Sequence, residues 1–428
     1  MWRNVDYHII VSKPIPYAKW VWYWLVISHK HMKKGDVFLT QKKKWLRRLK
    51  RITFGFIFLL FILFFFVAMN VEKWSDMGEG RLPAKTAVIL HAISEQVVTP
   101  DVKPPKFFRS TSGSKMVREE INIPLNDGKS IQARVYRPKV EKQYPIIMYY
   151  HGGAFMEGYG SVETHENIAQ RLAQRTNSVV VSVGYRVAPQ YIFPTAIEDS
   201  FEALLWVEKH AEQLHGDRNK IAVAGDSAGG NIATVVAAVS RDRDGPNIIA
   251  QVLYYPLTTF LDVEYMSRST YASGYYLLSR SVMLQARAQY TPEEAMWYSP
   301  YTSPLDAEDL AKLPQTLIMT AEFDPLRDEG EMYGKRLASF GVPTTVVRYN
   351  GVMHGFISFY EVMQSGRHGL EQSIDFLSNA FNGNGKKEHY SFEIKNMPMG
   401  AESIRDQAEA YAIASYIIGK KTLARFMP

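Results

Sequence analysis

The sequence predicts an α/β fold, a mostly parallel central sheet with helices on both faces, preceded by one membrane-spanning helix. Three observations predict it. Short apolar runs alternate with helix-like stretches from 116 to 383, and an uncharged run of eighteen residues fills 52–69. A Gly-Asp-Ser-Ala-Gly turn at 225–229 also joins a strand-like run to a helix-like one.

The N-terminal segment, 1–51, carries thirteen Lys/Arg against Asp6 and Asp36, a net +11, so residues 52–428 carry −4 of the chain's +7. A nucleic-acid binder spreads its basic surface over its folded domain. Here the excess precedes an apolar run, so charge reports topology, and nucleic acid is not an expected partner. Zero cysteines exclude disulfides, thiolate metal sites and a Cys nucleophile.

Residues 52–69 (I-T-F-G-F-I-F-L-L-F-I-L-F-F-F-V-A-M) hold no charge. As a helix they cover about 27 Å, against a hydrocarbon core of about 30 Å. A buried core helix would show a polar stripe, and this run has none. The preceding K-K-K-W-L-R-R-L-K-R (42–51) places the N-terminus in the cytoplasm and the remainder outside, by the positive-inside rule. Trp45 and Trp74 fall near the two ends, where indoles favour the headgroup zone. The run exceeds a signal-peptide core and lacks a good cleavage site, which favours an uncleaved anchor. Upstream, Trp20–Ser28 is too short to span and reads as interfacial, and Met32-Lys33-Lys34 would serve as an alternative start.

Residues 70–115, with Pro83, Pro100, Pro104 and Pro105, read as a linker leading into one or two short helices. Alternating Met116–Ile123 and Ile131–Val135, joined by Asn126-Asp127-Gly128, read as a hairpin. Buried strands follow at Pro145–Tyr150, Val179–Val183, Ile221–Ala224, Ala250–Tyr254, Thr316–Thr320 and Thr344–Tyr349. Helices are expected at Thr164–Arg175, Ala196–His210, Asn231–Ser240 and Asp328–Phe340, the last closed by Gly341. An aromatic-rich insertion, 257–313, interrupts the alternation where a lid over the strand ends belongs. Residues 384–428 form a tail with a possible helix, Ser403–Ile418.

Gly225-Asp226-Ser227-Ala228-Gly229 matches G-x-S-x-G, a pattern that arises by chance about 0.15 times in a chain this long. Its placement between strand and helix raises its weight, because a nucleophile elbow needs that context. The glycines admit a backbone that side chains would block. A serine hydroxyl needs a base to become nucleophilic. His354 follows the last predicted strand, whereas His368 lies in a helix-like stretch and His389 in the polar tail. For the acid, Asp324 directly follows a strand, while Asp328 sits at a helix start and reads as a cap. Oxyanion donors are expected from Gly152, Gly153 and Ala154 after the strand Pro145–Tyr150, and from Ala228. His151 reads as a loop organiser.

These motifs resemble those of the hormone-sensitive-lipase family of α/β-hydrolases, in the G-D-S-A-G-G branch that includes bacterial acetyl esterases. The resemblance covers about 120–380 through H-G-G-A-F (151–155), Y-R-V-A-P (185–189), G-D-S-A-G-G (225–230), D-P-L-R-D-E-G (324–330) and H-G-F (354–356). It implies Ser227, Asp324 and His354 as triad, and a helical cap built from 70–115 and 257–313 around a catalytic domain of 116–383. It also implies hydrolysis of short-chain acyl esters. Ala154 stands where the family has a third glycine, a change that keeps the backbone N–H. Alternatives with the same triad are a lactonase, an amidase or a deacetylase of envelope sugars. A ligand receptor that has lost its histidine is disfavoured by His354. No H-E-x-x-H, G-x-G-x-x-G or P-loop is present, so neither metal nor nucleotide cofactor is expected.

Overall fold

The computed structural model describes residues 41–78, 80–95, 116–140, 142–385, 389–396 and 398–426. Trp20–Ser28, most of the basic segment and residues 96–115 of the linker lie outside these. The chain divides into two compact units, Met1–Phe66 and Val67–Pro428.

The first unit is described through helix α1 (Gln41–Ser75), which extends beyond both ends of the run 52–69. Its stretch Arg47–Ser75 is the one helix among the described residues long and apolar enough to cross a membrane. Large apolar side chains from Ile52 to Phe66 are exposed. That is the surface of a helix apolar all round, compatible with a single-pass anchor.

In the second unit, α2 (Ala84–Ser94) precedes a nine-stranded sheet ordered β1-β2-β4-β3-β5-β6-β7-β8-β9. β1 (Met116–Pro124) and β2 (Ser130–Pro138) form the expected hairpin, antiparallel in unbroken register. Its turn closes through Asp127 Oδ1, which accepts the Lys129 N–H, with Gly128 at φ 83°. β2 is antiparallel to β4 (Val179–Val183), and every later pairing is parallel. Those strands are β3 (Tyr144–Tyr150), β5 (Gly216–Asp226), β6 (Ile248–Tyr254), β7 (Gln315–Phe323), β8 (Thr344–Met353) and β9 (Tyr390–Asn396).

Alternate side chains divide between two cores because successive residues of a strand face opposite sides. Ile146, Met148 and Tyr150 of β3 pack with α4 (Thr195–Lys209), α5 (Ala228–Asp242) and α8 (Arg327–Ser339). Ile147 and Tyr149 face α2, α3 (Glu166–Thr176) and α9 (Gln364–Phe381). A strand buried on both faces must be apolar throughout, hence the continuous runs in the sequence.

Between β6 and β7 the insertion folds into α6 (Met266–Thr270), α7 (Arg280–Tyr290) and two short 3-10 turns, Glu294–Tyr298 and Pro304–Asp306. Arg268 ties it down. Its guanidinium bonds Glu329 of α8 at 2.8 and 2.5 Å and the carbonyls of Thr259 and Leu261, while Glu329 accepts the Thr258 N–H at 2.7 Å.

The C-terminal segment contributes more than a helix. β9 pairs with β8 from Thr344↔Tyr390 to Asn350↔Asn396, a strand the sequence reading does not place. The expected helix is longer than Ser403–Ile418 and becomes α10 (Ala401–Phe426). Its Ala410, Ala414 and Ile417 pack on Val67 and Val71 of α1 and on Val88 and Ala92 of α2. Lys85 of α2, buried, bonds Asp406 at 2.8 Å and Glu409 at 2.6 Å.

Candidate active site

β5 ends at Asp226 and α5 begins at Ala228, so Ser227 occupies the sharp turn between them. Its φ of 55° and ψ of −118° form a strained conformation. The surroundings hold it there. The Ser227 N–H donates to Tyr254 O at 2.9 Å, and its carbonyl accepts from Asn231 N at 3.1 Å and Leu257 N at 3.2 Å. A Cβ at Gly225 would collide with the Gly229 carbonyl, and one at Gly229 with the Tyr150 carbonyl. Only glycine lets β5, β3 and α5 approach this closely.

The structure brings Ser227, His354 and Asp324 together. His354 Nε2 lies 3.0 Å from Ser227 Oγ, and its Nδ1 lies 2.8 Å from Asp324 Oδ2. With a carboxylate at Nδ1, the neutral imidazole carries its proton there and leaves Nε2 to accept from the hydroxyl. Asp324 is fully buried, and its other oxygen accepts the Leu326 N–H at 2.8 Å. Asp328 does not cap α8, whose N-cap is Leu326 without a side-chain bond. It accepts the Ser267 N–H at 2.8 Å and so helps hold the insertion. His368 bonds the Tyr349 hydroxyl at 2.8 Å, and the His389 carbonyl accepts the Thr344 N–H.

Gly152, Gly153, Ala154 and Ala228 were all expected as oxyanion donors, and the structure corrects the first. The Gly152 N–H is spent on Asp226 Oδ1 at 3.0 Å. Among the described residues the N–H groups of Gly153 and Ala154 have no acceptor. That of Ala228 opens α5, where a helix leaves N–H groups unbonded. Ala154 and Ala228 line the same cleft as Ser227.

Asp226 is a residue whose role the motif does not reveal. Buried, it accepts from the Tyr149 hydroxyl at 2.8 Å and the Gly152 N–H, and meets His165 Nε2 at 3.1 Å. Burial pushes its carboxyl up, but His165, Tyr149 and His151 outweigh that and hold it below the usual carboxylate range. As an anion it therefore pins the loop that begins at Gly152. His151 stacks on Tyr185 with ring centroids 4.4 Å apart and has Nδ1 2.7 Å from Gly152 O. Burial lowers its pKa to about 4, so it is neutral at pH 7.

The cleft above Ser227 is walled by Phe155, Leu257, Phe260, Leu278, Met283 and Leu284, mostly from the insertion. Among the described residues no cluster of three or more His, Asp or Glu could hold a metal.

A family model described as the alpha/beta hydrolase fold matches residues 147–358. An arylesterase of Saccharolobus solfataricus is 38% identical over 247 residues, covering 58% of this chain and 77% of that protein. The chain belongs to the hormone-sensitive-lipase-like esterases of the α/β-hydrolase fold. Other members are similar at the same level. The carboxylesterase NlhH of Mycobacterium tuberculosis is 37% identical over 268 residues, 61% of this chain and 82% of that protein. The solved hyperthermophilic esterase of Pyrobaculum calidifontis superposes with a TM-score of 0.62 at 41% identity, covering 68% of this chain and 96% of that one. The matched esterase model ends before α9, β9 and α10, and begins after α1 and α2.

Proposed function

We propose that the chain is a membrane-anchored serine carboxylesterase that hydrolyses short-chain acyl esters. The observation that carries this reading is the unbroken line from Ser227 Oγ through the His354 imidazole to buried Asp324, with steps of 3.0 and 2.8 Å. Ser227 Oγ attacks the ester carbonyl carbon while His354 Nε2 takes its proton, and Asp324 stabilises the resulting imidazolium. The N–H groups of Gly153, Ala154 and Ala228 receive the charge that develops on the carbonyl oxygen. Collapse expels the alcohol, which takes the proton from His354. Water then attacks the acyl-enzyme with His354 again as base, releasing the acid and restoring Ser227.

Short acyl chains are favoured by the insertion's apolar wall around the nucleophile. The naming of a relative as an ethyl acetate hydrolase (Pseudomonas putida, 33% identical, 81% of that protein covered) agrees with this. The apolar helix Arg47–Ser75 and the basic flank before it support a single span with residues 1–51 in the cytoplasm and the catalytic unit outside. The lipid bilayer is then a partner through 52–69. Turnover of p-nitrophenyl acetate by the full chain, beside the Ser227→Ala variant, tests the chemistry. Loss of turnover is expected, and an unchanged rate overturns the reading.

A further inference from the structure

Four charged side chains line the cleft over Ser227: Asp262, Arg268, Arg280 and Arg287. Three are neutralised where they stand. Arg268 closes on buried Glu329, and Arg280 meets both oxygens of Asp262 at 2.9 and 3.0 Å. Arg287 pairs with no carboxylate among the described residues. The one polar contact of its side chain there is the Phe260 carbonyl, at 3.4 Å. Its guanidinium lies over the Trp297 ring, 4.3 Å from the centroid, which fixes the group without neutralising it.

A half-buried guanidinium with free donors, held against an aromatic face beside a nucleophile, is a preorganised anion receptor. Among the described residues the cleft wall consequently carries one uncompensated positive charge. We propose that Arg287 binds a carboxylate or phosphate carried by the ester, so that the preferred substrates are anionic esters rather than neutral ones. This rests on the reading of Ser227 as the nucleophile. The competing role is mechanical. Arg287 links α7 to the Glu294–Tyr298 turn through Trp297, and a brace of that kind would affect all esters alike.

The test compares kcat/KM of the full-length protein in detergent on matched pairs. Ethyl butyrate against monoethyl succinate places the charge on the acyl half, and phenyl acetate against 4-acetoxybenzoate places a carboxylate on the alcohol half. Phenyl acetate against 4-acetoxyphenyl phosphate places a phosphate there. The expected result is a preference of about tenfold for the anionic member of at least one pair, the scale of a charge-assisted contact. It is expressed mainly in KM and falls with added salt. Arg287→Gln is expected to erase that ratio, and Arg287→Lys to keep part of it. Equal rates on every pair in the wild type overturn the proposal, as does a ratio that survives Arg287→Gln, or an equal loss on both members of a pair. Wild-type protein inactive on every ester would instead refute the nucleophile assignment.

Discussion

His151 stands one residue ahead of the loop proposed to supply oxyanion donors, and its neutrality is a property of burial with a measurable consequence. Its pKa falls from an ordinary 6.5 to about 4 in the folded chain. Above pH 6.5 neither folded nor unfolded chain binds the proton, and between those values only the unfolded chain does. Stability therefore falls as pH drops through that window, by about 3 kcal/mol in all. Urea unfolding at pH 7 and pH 5 should show the wild type losing about 2 kcal/mol more than His151→Asn. Equal losses would mean that the imidazole is charged in the fold.

At Asp324 the expectation is kinetic. Asp324→Asn leaves the shape but favours the wrong imidazole tautomer, so kcat is expected to drop by about 10⁴ with little change in KM. Ser227, His354 and Asp324 could each be picked out in the sequence because each follows a recognisable strand. Gly152 and Asp226 could not be read correctly. Whether a backbone N–H faces a substrate or a neighbouring carboxylate depends on how two strand ends meet, and H-G-G-A carries no mark of it.

Among the elements, the insertion is tied to α8 by a buried ion pair, Arg268 to Glu329. Burial pushes the Glu329 carboxyl up, and Arg268 opposes it. Arg268→Met would strand Glu329 in the interior, at a cost of about 3–5 kcal/mol. The expected signs are a lowered unfolding midpoint and faster proteolysis within 257–313. Unchanged proteolysis would show that the insertion is held without this ion pair, by its apolar contacts and by bonds such as Asp328 to the Ser267 N–H. The strands β3 to β8 were legible because burial on both faces demands apolar runs. β9 was not. Its Tyr390, Phe392 and Ile394 are exposed and alternate with half-buried polar residues, so only its pairing with β8 makes it a strand.

At the scale of the whole molecule, the chain joins an esterase fold to segments the family model does not include. Within the second unit, α10 packs on α2 and on the end of α1, with Lys85 bonded to two acids at the centre of that contact. The Lys85 hydrogen bond is the main cause that holds the Glu409 carboxyl below its usual range. That contribution is complete above the ordinary glutamate pKa and is lost as pH falls through the lowered one. Lys85→Ala is expected to speed hydrogen exchange across 401–426 at neutral pH, and acid to lower the protection factors of the same amides, relative to intrinsic exchange at that pH, in the wild type. A soluble form should begin at Val67, because Val67 and Val71 belong to the packed cluster under α10. The full chain should stay with membranes in alkaline carbonate and this shorter form should not.

Labelling with a fluorophosphonate, followed by peptide mass mapping, addresses the nucleophile most directly. The expected result is one phosphonate per chain, on the peptide containing Ser227, accumulating in step with loss of ester turnover. A label on another residue, or turnover that persists in the fully labelled protein, would contradict it.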